Sequence, residues 1–321
     1  MKAALEAAAA FVHETLQPTP QLEWPLLSKR CGARVLVKHE NHLPTGAFKL
    51  RGGLVYMNEL RASEPGVQGV ISATRGNHGQ SVATAARRFG LSATIVVPRG
   101  NSVEKNAAMR AQGARLVEHG GDFQEALEHA QALAVRDGLR FVPSFHPALV
   151  RGVASCALEL FGAAPDLDVL YVPIGLGSGI CAALDARDAL GLRTRIVGVV
   201  SERAPTYALS FTAGRPVATE SADTFADGLA VRVPNPDALA RMRSGVERIV
   251  AVSDAEIRSA IRSLFSDTHN VAEGAGAAGL AACLREREAL AGKRVAFVLT
   301  GGNIDRALYR EILAEEDPNC A

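Results

Sequence analysis

Short runs rich in valine and isoleucine alternate along this chain with longer segments of helical periodicity. Seven of these runs predict β-strands, namely RVLVKHE, GVISATR, ATIVVPRG, ARLVEHG, DVLYVPIG, RIVGVVS and RVAFVLTGG. Apolar strands separated by helices are typical of parallel sheets that carry helices on both faces. The pattern therefore predicts an α/β protein built around open parallel sheets.

Two turn-rich stretches, at residues 65–66 and 143–147, are candidate crossings between two lobes. A chain of 321 residues with 48% hydrophobic content is long enough to form two domains with separate cores. We place a small domain at residues 69–146. It is inserted into a large domain formed by residues 1–68 and 147–321.

Charge and cysteine content exclude several classes of partner. The net charge is +1 and the basic residues form no stripe, which argues against binding to nucleic acid. The five cysteines are scattered without metal-finger spacing, so we expect free thiols in a reducing, cytoplasmic compartment. The N-terminal MKAALEAAAAFVHETL has the spacing of an amphipathic helix, and no uncharged apolar segment reaches the roughly 18 residues of a membrane span.

Glycine-rich or polar loops follow three of the predicted strands. They read SATRGNHGQSVA, PIGLGSGI and LTGGNID, and a fourth unusual stretch, PTGAFKLRGG, carries Lys49. In open α/β sheets, ligands bind at the carboxyl ends of the strands, where loops and helix N-termini present free N–H groups. The position of the four loops therefore needs a common explanation.

Two of these loops have the chemistry of an anion site. The glycines of PIGLGSGI let backbone amides approach a phosphate at the start of a helix, although this loop alone is equally consistent with a tight strand-to-helix turn. It has neither the Lys-Ser/Thr of a P-loop nor the GxGxxG spacing of a dinucleotide site. In SATRGNHGQ, Asn77 is a better ligand contact than His78, because an amide N–H can hold a phenolic oxygen.

In combination, the loops resemble the fold-type II pyridoxal-phosphate enzymes, specifically the threonine/serine dehydratase and serine racemase group. The matching motifs occur in the family's order over nearly the whole chain, at residues 47–52, 76–80, 175–179, 224–231, 273–279 and 300–303. The resemblance implies a tryptophan synthase β-like α/β fold. Two open parallel-type α/β lobes would then hold pyridoxal 5'-phosphate between them.

The resemblance also assigns roles to individual residues. Lys49 would hold the cofactor as a Schiff base and then remove the α-proton of the substrate. Asn77 would contact the ring hydroxyl, and Thr300 the pyridine nitrogen, where a neutral hydroxyl suits elimination better than transamination. Phe48 would pack the lysine loop beside the cofactor, and Arg51 would pair with a carboxylate. The phosphate would be bound by the backbone of Gly175, Leu176, Gly177, Ser178 and Gly179.

The implied reaction is an ammonia-forming dehydration. A β-hydroxy-α-amino acid such as threonine, serine or a related β-substituted analogue would lose water by α,β-elimination and then hydrolyse to a 2-oxo acid and ammonium. The substrate's α-carboxylate is expected at the backbone of a loop that contains Thr74, Arg75, Gly76 and His78. Few residues follow Thr300, so we expect no regulatory domain of the kind carried by biosynthetic threonine dehydratases.

Three departures from the family pattern bear on specificity. Racemases of this group carry a serine where this chain has Arg75, and a guanidinium cannot supply the second base that a racemase needs. Arg75 either recognises a second polar or anionic group on the substrate or points away to pair with surface acids. Residues 151–155 replace the family's usual Ala-Gly-Gln-Gly-Thr, which suggests a divergent branch, most like the dehydratases of hydroxyectoine utilisation or the broad hydroxy-amino-acid dehydratases. Cation-binding relatives place a glutamate where this chain has Val200, with Glu202 out of step, so we expect no essential metal.

Other functions remain open on the same fold. A β-replacement enzyme would use the same elimination and trap the product with a nucleophile, whereas a racemase is disfavoured by Arg75. A catalytically silent amino-acid sensor is opposed by the presence of Lys49, Asn77 and Thr300. The resemblance also implies a homodimer.

Overall fold

The computed structural model describes residues 1–316, and these residues form two β-sheets. The strands are β1 (Gln21–Glu23), β2 (Arg34–His39), β3 (Gly69–Ala73), β4 (Ser92–Val97), β5 (Arg115–Glu118), β6 (Arg140–Phe141), β7 (Val169–Pro173), β8 (Arg195–Ser201), β9 (Val246–Val252) and β10 (Arg294–Leu299). The larger sheet has the order β1-β2-β10-β7-β8-β9, and the smaller sheet has the order β5-β4-β3-β6. Neighbouring strands are parallel except for β1, which runs antiparallel to β2.

Helices connect most of these strands. The α-helices are α1 (Lys2–His13), α2 (Pro25–Cys31), α3 (Lys49–Ser63), α4 (Asn77–Arg88), α5 (Val103–Ala111), α6 (Phe123–Asp137), α7 (Pro147–Ala163), α8 (Ser178–Leu190), α9 (Thr206–Ala213), α10 (Pro236–Arg243), α11 (Asp254–Thr268), α12 (Gly274–Arg285) and α13 (Arg306–Ala314). All seven predicted runs are strands, and α1 is the predicted N-terminal helix. The prediction of an α/β fold around parallel sheets is confirmed.

The central strands of the larger sheet are buried on both faces, as near-continuous apolar strands require. Along β7, Leu170 and Val172 enter a core shared with α7 and α8. Their neighbours Val169 and Tyr171 point to the opposite face and enter a core shared with α11 and α12. Two helical layers therefore enclose this sheet, and its strand ends are the part left open to a ligand.

The smaller sheet lies within residues 69–141, inside the segment that we predicted as a small domain. Its core extends further along the chain, because Val12 of α1 and Leu54 of α3 pack in the same cluster as Val70 and Ile95. The domain boundaries at residues 69 and 146 stay a prediction. Helix α3, which begins at Lys49, contacts the smaller sheet's core on one side and α7 on the other.

Helix α3 meets α7 at backbone contact. A Cβ atom added to Gly152 of α7 would lie 2.3 Å from the carbonyl oxygen of Arg51, so any side chain there would push the helices apart. The side chain of Ser81 on α4 donates a hydrogen bond to the carbonyl oxygen of Lys49 at 2.7 Å. The first turn of α3 is therefore fixed from two sides.

A buried charge network also holds this turn. Arg51 is completely buried and donates hydrogen bonds to Glu40 (2.7 and 3.0 Å), to Glu159 of α7 (2.5 and 3.0 Å) and to Ser155 (2.9 Å). Buried Lys38 donates to Glu159 as well, at 2.5 Å. The two cations balance the two carboxylates, which is the condition for burying them at tolerable cost. The predicted pairing of Arg51 with a carboxylate is confirmed.

Four of the five cysteines, Cys31, Cys156, Cys181 and Cys283, are buried free thiols. The fifth, Cys320, lies outside the described residues. Between residues 1 and 316, none of the helices is both long enough and apolar enough to cross a membrane.

Candidate active site

The four loops singled out in the sequence converge at the carboxyl ends of the strands. Lys49 Nζ donates a hydrogen bond to the hydroxyl of Ser178, at the start of α8, over 3.2 Å. The N–H of Phe48 donates to the carbonyl of Thr300, which follows β10, at 3.0 Å. Asn303 donates from Nδ2 to Oδ1 of Asn77, at the start of α4, over 2.8 Å. One site therefore joins segments that are up to 250 residues apart.

Lys49 is the first residue of α3, and its amine has an unusual environment. Burial lowers the pKa of this lysine to about 8, and the nearby carboxylate of Glu273 opposes that shift. The amine also lies 4.9 Å from the centre of the Phe48 ring. An amine with such a pKa is partly neutral near pH 8, so it can act as a nucleophile or as a base.

The glycine loop leads into the N-terminus of α8, whose geometry suits an anion. Helix α8 has 13 residues, and the N–H groups of its first turn have no acceptor within the helix. Gly177 has φ 102°, in the region that favours glycine. A Cβ atom on Gly175 would lie 2.4 Å from the carbonyl oxygen of Gly228, so the facing loop packs directly on this backbone. The Tyr207 hydroxyl donates to the carbonyl of Leu176 at 3.0 Å and fixes the loop from behind.

Asn77 is held at both ends of its amide. Its Nδ2 donates to Oε1 of Glu273 at 2.7 Å, while its Oδ1 accepts from Asn303, whose Nδ2 also donates to the carbonyl of Thr45 at 2.8 Å. Since Nδ2 carries two hydrogens, one remains for a ligand. The amide can thus serve the role that the sequence suggested for it.

Glu273 was not predicted as a functional residue. It is 7% exposed, and burial raises the pKa of its carboxyl to about 7, although Lys105 and the hydrogen bond from Asn77 lower it. The sequence offered a weak signal, because Glu273 opens the segment EGAGAAG that matches the family. Lys105, whose Nζ donates to Asp227 at 2.7 Å, lies in no motif that could have identified it.

The predicted substrate loop lies beside Asn77, between β3 and α4. The N–H of Gly76 donates to the Thr74 hydroxyl at 3.0 Å, so this donor is engaged inside the loop. Arg75 reaches across to Asp227 at 3.4 Å and keeps 43% of its side chain exposed. His78 is buried with no hydrogen-bond partner at Nε2, and burial, with the charge of Lys49, lowers the pKa of its imidazole to about 3. This histidine is therefore neutral at physiological pH.

These residues fit pyridoxal phosphate on structural grounds. Lys49 offers an amine of lowered pKa, the N-terminus of α8 offers donors for a phosphate, and Asn77 offers a spare N–H. Thr300 is buried beside the lysine loop, with Phe48 bound to its carbonyl. The roles given to these side chains stay predictions.

Position 200, where cation-binding relatives carry a glutamate, lies in β8. Val200 is buried in β8, and the carboxylate of Glu202 accepts from Arg285 at 2.8 Å. Within residues 1–316, no group of three or more His, Cys, Asp or Glu side chains is arranged to hold a metal ion. The independence of the enzyme from metal stays a prediction.

Comparison with known proteins agrees with this site. Residues 12–301 match the family model described as "Pyridoxal-phosphate dependent enzyme". L-threonine ammonia-lyase of Thermotoga maritima is 37% identical over 90% of this chain and 72% of its own length. L-threo-3-hydroxyaspartate ammonia-lyase of Saccharomyces cerevisiae is 31% identical over 97% of this chain and 95% of its own length. The chain spans 58% of the biosynthetic threonine dehydratase of Pasteurella multocida, with 33% identity.

Solved structures show the same relationship. Threonine deaminase isoform 2 of Solanum lycopersicum, in its processed form, superposes with a TM-score of 0.91 at 29% identity, over 98% of this chain and 94% of that chain. Maize serine racemase gives a TM-score of 0.90 at 25% identity, over 96% of this chain and 95% of that chain. The narrower likeness to dehydratases of hydroxyectoine utilisation stays a prediction. The chain belongs to the family of pyridoxal-phosphate dependent enzymes, and its relatives there include ammonia-lyases, dehydratases and racemases.

Proposed function

We propose that this enzyme is an ammonia-forming dehydratase that converts a β-hydroxy-α-amino acid, with threonine and serine as the first candidates, into a 2-oxo acid and ammonium. The observation that carries the proposal is the contact of 3.2 Å between the amine of Lys49 and Ser178 at the N-terminus of α8. The contact supports the proposal because a partly neutral amine then lies beside a helix N-terminus whose unpaired N–H groups can bind a phosphate. The names of the relatives, threonine and hydroxyaspartate ammonia-lyases, support the choice of reaction.

Lys49 has two tasks in this proposal. Its amine would anchor the cofactor and, when free, would accept the α-proton of the substrate. Bound pyridoxal phosphate supplies an electron sink for the substrate's α-carbon. Because burial keeps the pKa of Lys49 near 8, the free amine exists at a useful concentration at neutral pH.

Cofactor and substrate are held by helix N-termini. Backbone N–H groups at residues 175–179 would hold the phosphate of the cofactor, and Asn77 would hold the cofactor with its spare N–H. Thr300 would contribute a neutral hydroxyl, which suits elimination. The substrate's α-carboxylate lies at the start of α4, where the N–H groups of the first turn are free of helix bonds, while that of Gly76 is engaged with Thr74.

The reaction balances without an external reductant or oxidant. Lys49 takes the α-proton, the β-hydroxyl leaves as water after gaining a proton, and the resulting enamine takes up water to give a 2-oxo acid and ammonium. Racemisation needs a second base on the opposite face of the substrate. Arg75 cannot provide one, because its guanidinium stays protonated and pairs with Asp227.

A panel of β-hydroxy amino acids tests the proposal, with 2-oxo acid measured as product for the wild type and for Lys49→Ala. Formation of a 2-oxo acid from at least one panel member, lost in Lys49→Ala, is the expected result. Cysteine formed from O-acetylserine and sulfide, with no 2-oxo acid from any panel member, would replace dehydration with β-replacement.

The dimer is proposed from the family resemblance, and the location from the scattered cysteines. The proposed enzyme is a cytoplasmic homodimer that acts on a small amino acid, without nucleic acid or membrane as a partner. Light scattering coupled to size-exclusion chromatography, with an expected mass of twice 33.8 kDa, tests the dimer.

A further inference from the structure

Glu273 occupies the N-cap position of α12 but does not cap that helix. Residues at this position usually accept a hydrogen bond from the first turn, whereas the Glu273 side chain makes no such bond. Its carboxylate turns instead into the space between the loops and accepts from Asn77 Nδ2 at 2.7 Å. This buried carboxylate therefore bonds to a residue distant in sequence instead of capping its own helix, which suggests a specific role.

The surroundings of Glu273 contain cations, but among residues 1–316 no cation forms a direct ion pair with its carboxylate. A cavity of about 60 Å³ next to it is lined by Lys105, Asp227, Asn303 and Asp305. Lys105 donates to Asp227 at 2.7 Å, and Lys49 donates to Ser178. The amide of Asn77 is thus the direct hydrogen-bond partner that the structure gives to this carboxylate.

The two partners of Asn77 determine which way its amide faces. Asn303 donates from Nδ2 to the carbonyl of Thr45, which can only accept, so this nitrogen also faces Asn77, and Oδ1 of Asn77 must face Asn303. An ionised Glu273 can only accept, so Nδ2 must face Glu273. Both constraints select the same orientation, and it leaves one Nδ2 hydrogen pointing away from Glu273.

We propose that Glu273 is a positioning residue that fixes the Asn77 amide in the orientation needed to donate its second Nδ2 hydrogen to the bound cofactor. Without an acceptor at position 273, the amide keeps its bond to Asn303 but loses the partner that holds Nδ2. The inference rests on the proposed function, since it assumes that Asn77 contacts the cofactor.

Cofactor affinity of the apo-protein separates this role from a merely structural one. Glu273→Gln keeps an oxygen that can accept from Asn77, while Glu273→Met has similar volume and no acceptor. Titration of apo-protein with pyridoxal phosphate, followed by absorbance, should show the Met variant weakened about tenfold and the Gln variant within about threefold of wild type. Asp305→Asn, which removes a carboxylate from the same cavity without touching Asn77, should bind like wild type.

Each outcome decides the matter. Equal weakening in Gln and Met variants, or no weakening in Met, would overturn the positioning role. Circular dichroism of each apo-protein checks that it is folded. If Glu273→Met is unfolded, Glu273→Gln is compared with Asn77→Ala instead, and only Asn77→Ala should weaken cofactor binding. If wild type itself takes up no cofactor, the proposed function fails instead.

Discussion

Arg51 provides a quantitative test of how the lysine helix is held. Replacing it by methionine removes five hydrogen bonds and leaves Glu40 and Glu159 without a guanidinium. Glu159 keeps Lys38 at 2.5 Å, but Glu40 keeps only the Thr19 hydroxyl at 2.6 Å among the hydrogen bonds found in residues 1–316. Glu40 therefore becomes a buried, uncompensated carboxylate.

The cost follows from that isolation. Removing one partner of a buried ion pair destabilises a protein by about 3–5 kcal/mol. An unfolding entropy of about 2.1 cal/mol/K per residue gives about 0.7 kcal/mol/K for 321 residues. A loss of about 4 kcal/mol then lowers the Tm of Arg51→Met apo-protein by about 6 °C.

Thermal unfolding followed by circular dichroism, with a double-mutant cycle, checks the reasoning. Arg51→Met combined with Glu40→Gln should recover part of the lost Tm, because the stranded charge is gone. Arg136→Met is the control, since its partner Asp137 is adjacent in sequence and Arg136 is 65% exposed. A shift for Arg51→Met no larger than that of the control, or no recovery in the double variant, would refute the account.

Four further outcomes can be measured on the same protein. Gly175→Ala should weaken cofactor binding, because its Cβ would lie 2.4 Å from a backbone oxygen. Gly179→Ala should not, because the nearest atom to its Cβ would lie at an ordinary contact distance of 3.7 Å, and equal affinities of the two variants for the cofactor would contradict this. The Lys49 amine of the apo-protein should become reactive toward acylating reagents as pH rises through about 8, and a midpoint near 10.5 would show that burial does not act. Because burial raises the pKa of Glu273 to about 7, the folded state binds the proton of this carboxyl more tightly than the unfolded state does. The free energy of unfolding of wild-type apo-protein, measured by denaturant titration, should therefore fall by up to about 3 kcal/mol relative to that of Glu273→Gln as pH rises from about 4.5 to 7, and equal pH profiles would contradict this. Arg75→Ala should change the kcat/KM ratio between hydroxyaspartate and threonine at least about tenfold, and an unchanged ratio would exclude a recognition role.

Much of the fold could be predicted because strands that are buried on both faces consist of apolar residues, and such runs are visible in the sequence. Runs such as DVLYVPIG are apolar throughout, since residues on both faces of β7 enter a core. The convergence of the loops follows from geometry, because the carboxyl ends of parallel strands share one edge. Lys49 was found through its motif, and its position beside Ser178 agrees with that expectation.

What escaped prediction depends on contacts that no short stretch of sequence records. Strand β9 lies at the edge of its sheet, and Glu247 and Arg248 interrupt its apolar pattern. Strands β1 and β6 have three and two residues, too few for periodicity. The partners of Asn77 and Arg51 lie up to 226 residues away, so Glu273 and Glu159 gained their roles only through the folded chain.

Identifying the lysine to which the cofactor is attached tests directly whether Lys49 holds it. Holoenzyme treated with borohydride, which fixes pyridoxal phosphate on its lysine, can be digested and the labelled peptide identified by mass spectrometry. We expect the label on Lys49 and on no other lysine. A label on Lys105, whose side chain is 12% exposed and lies near Glu273, or no label at all, would contradict this expectation.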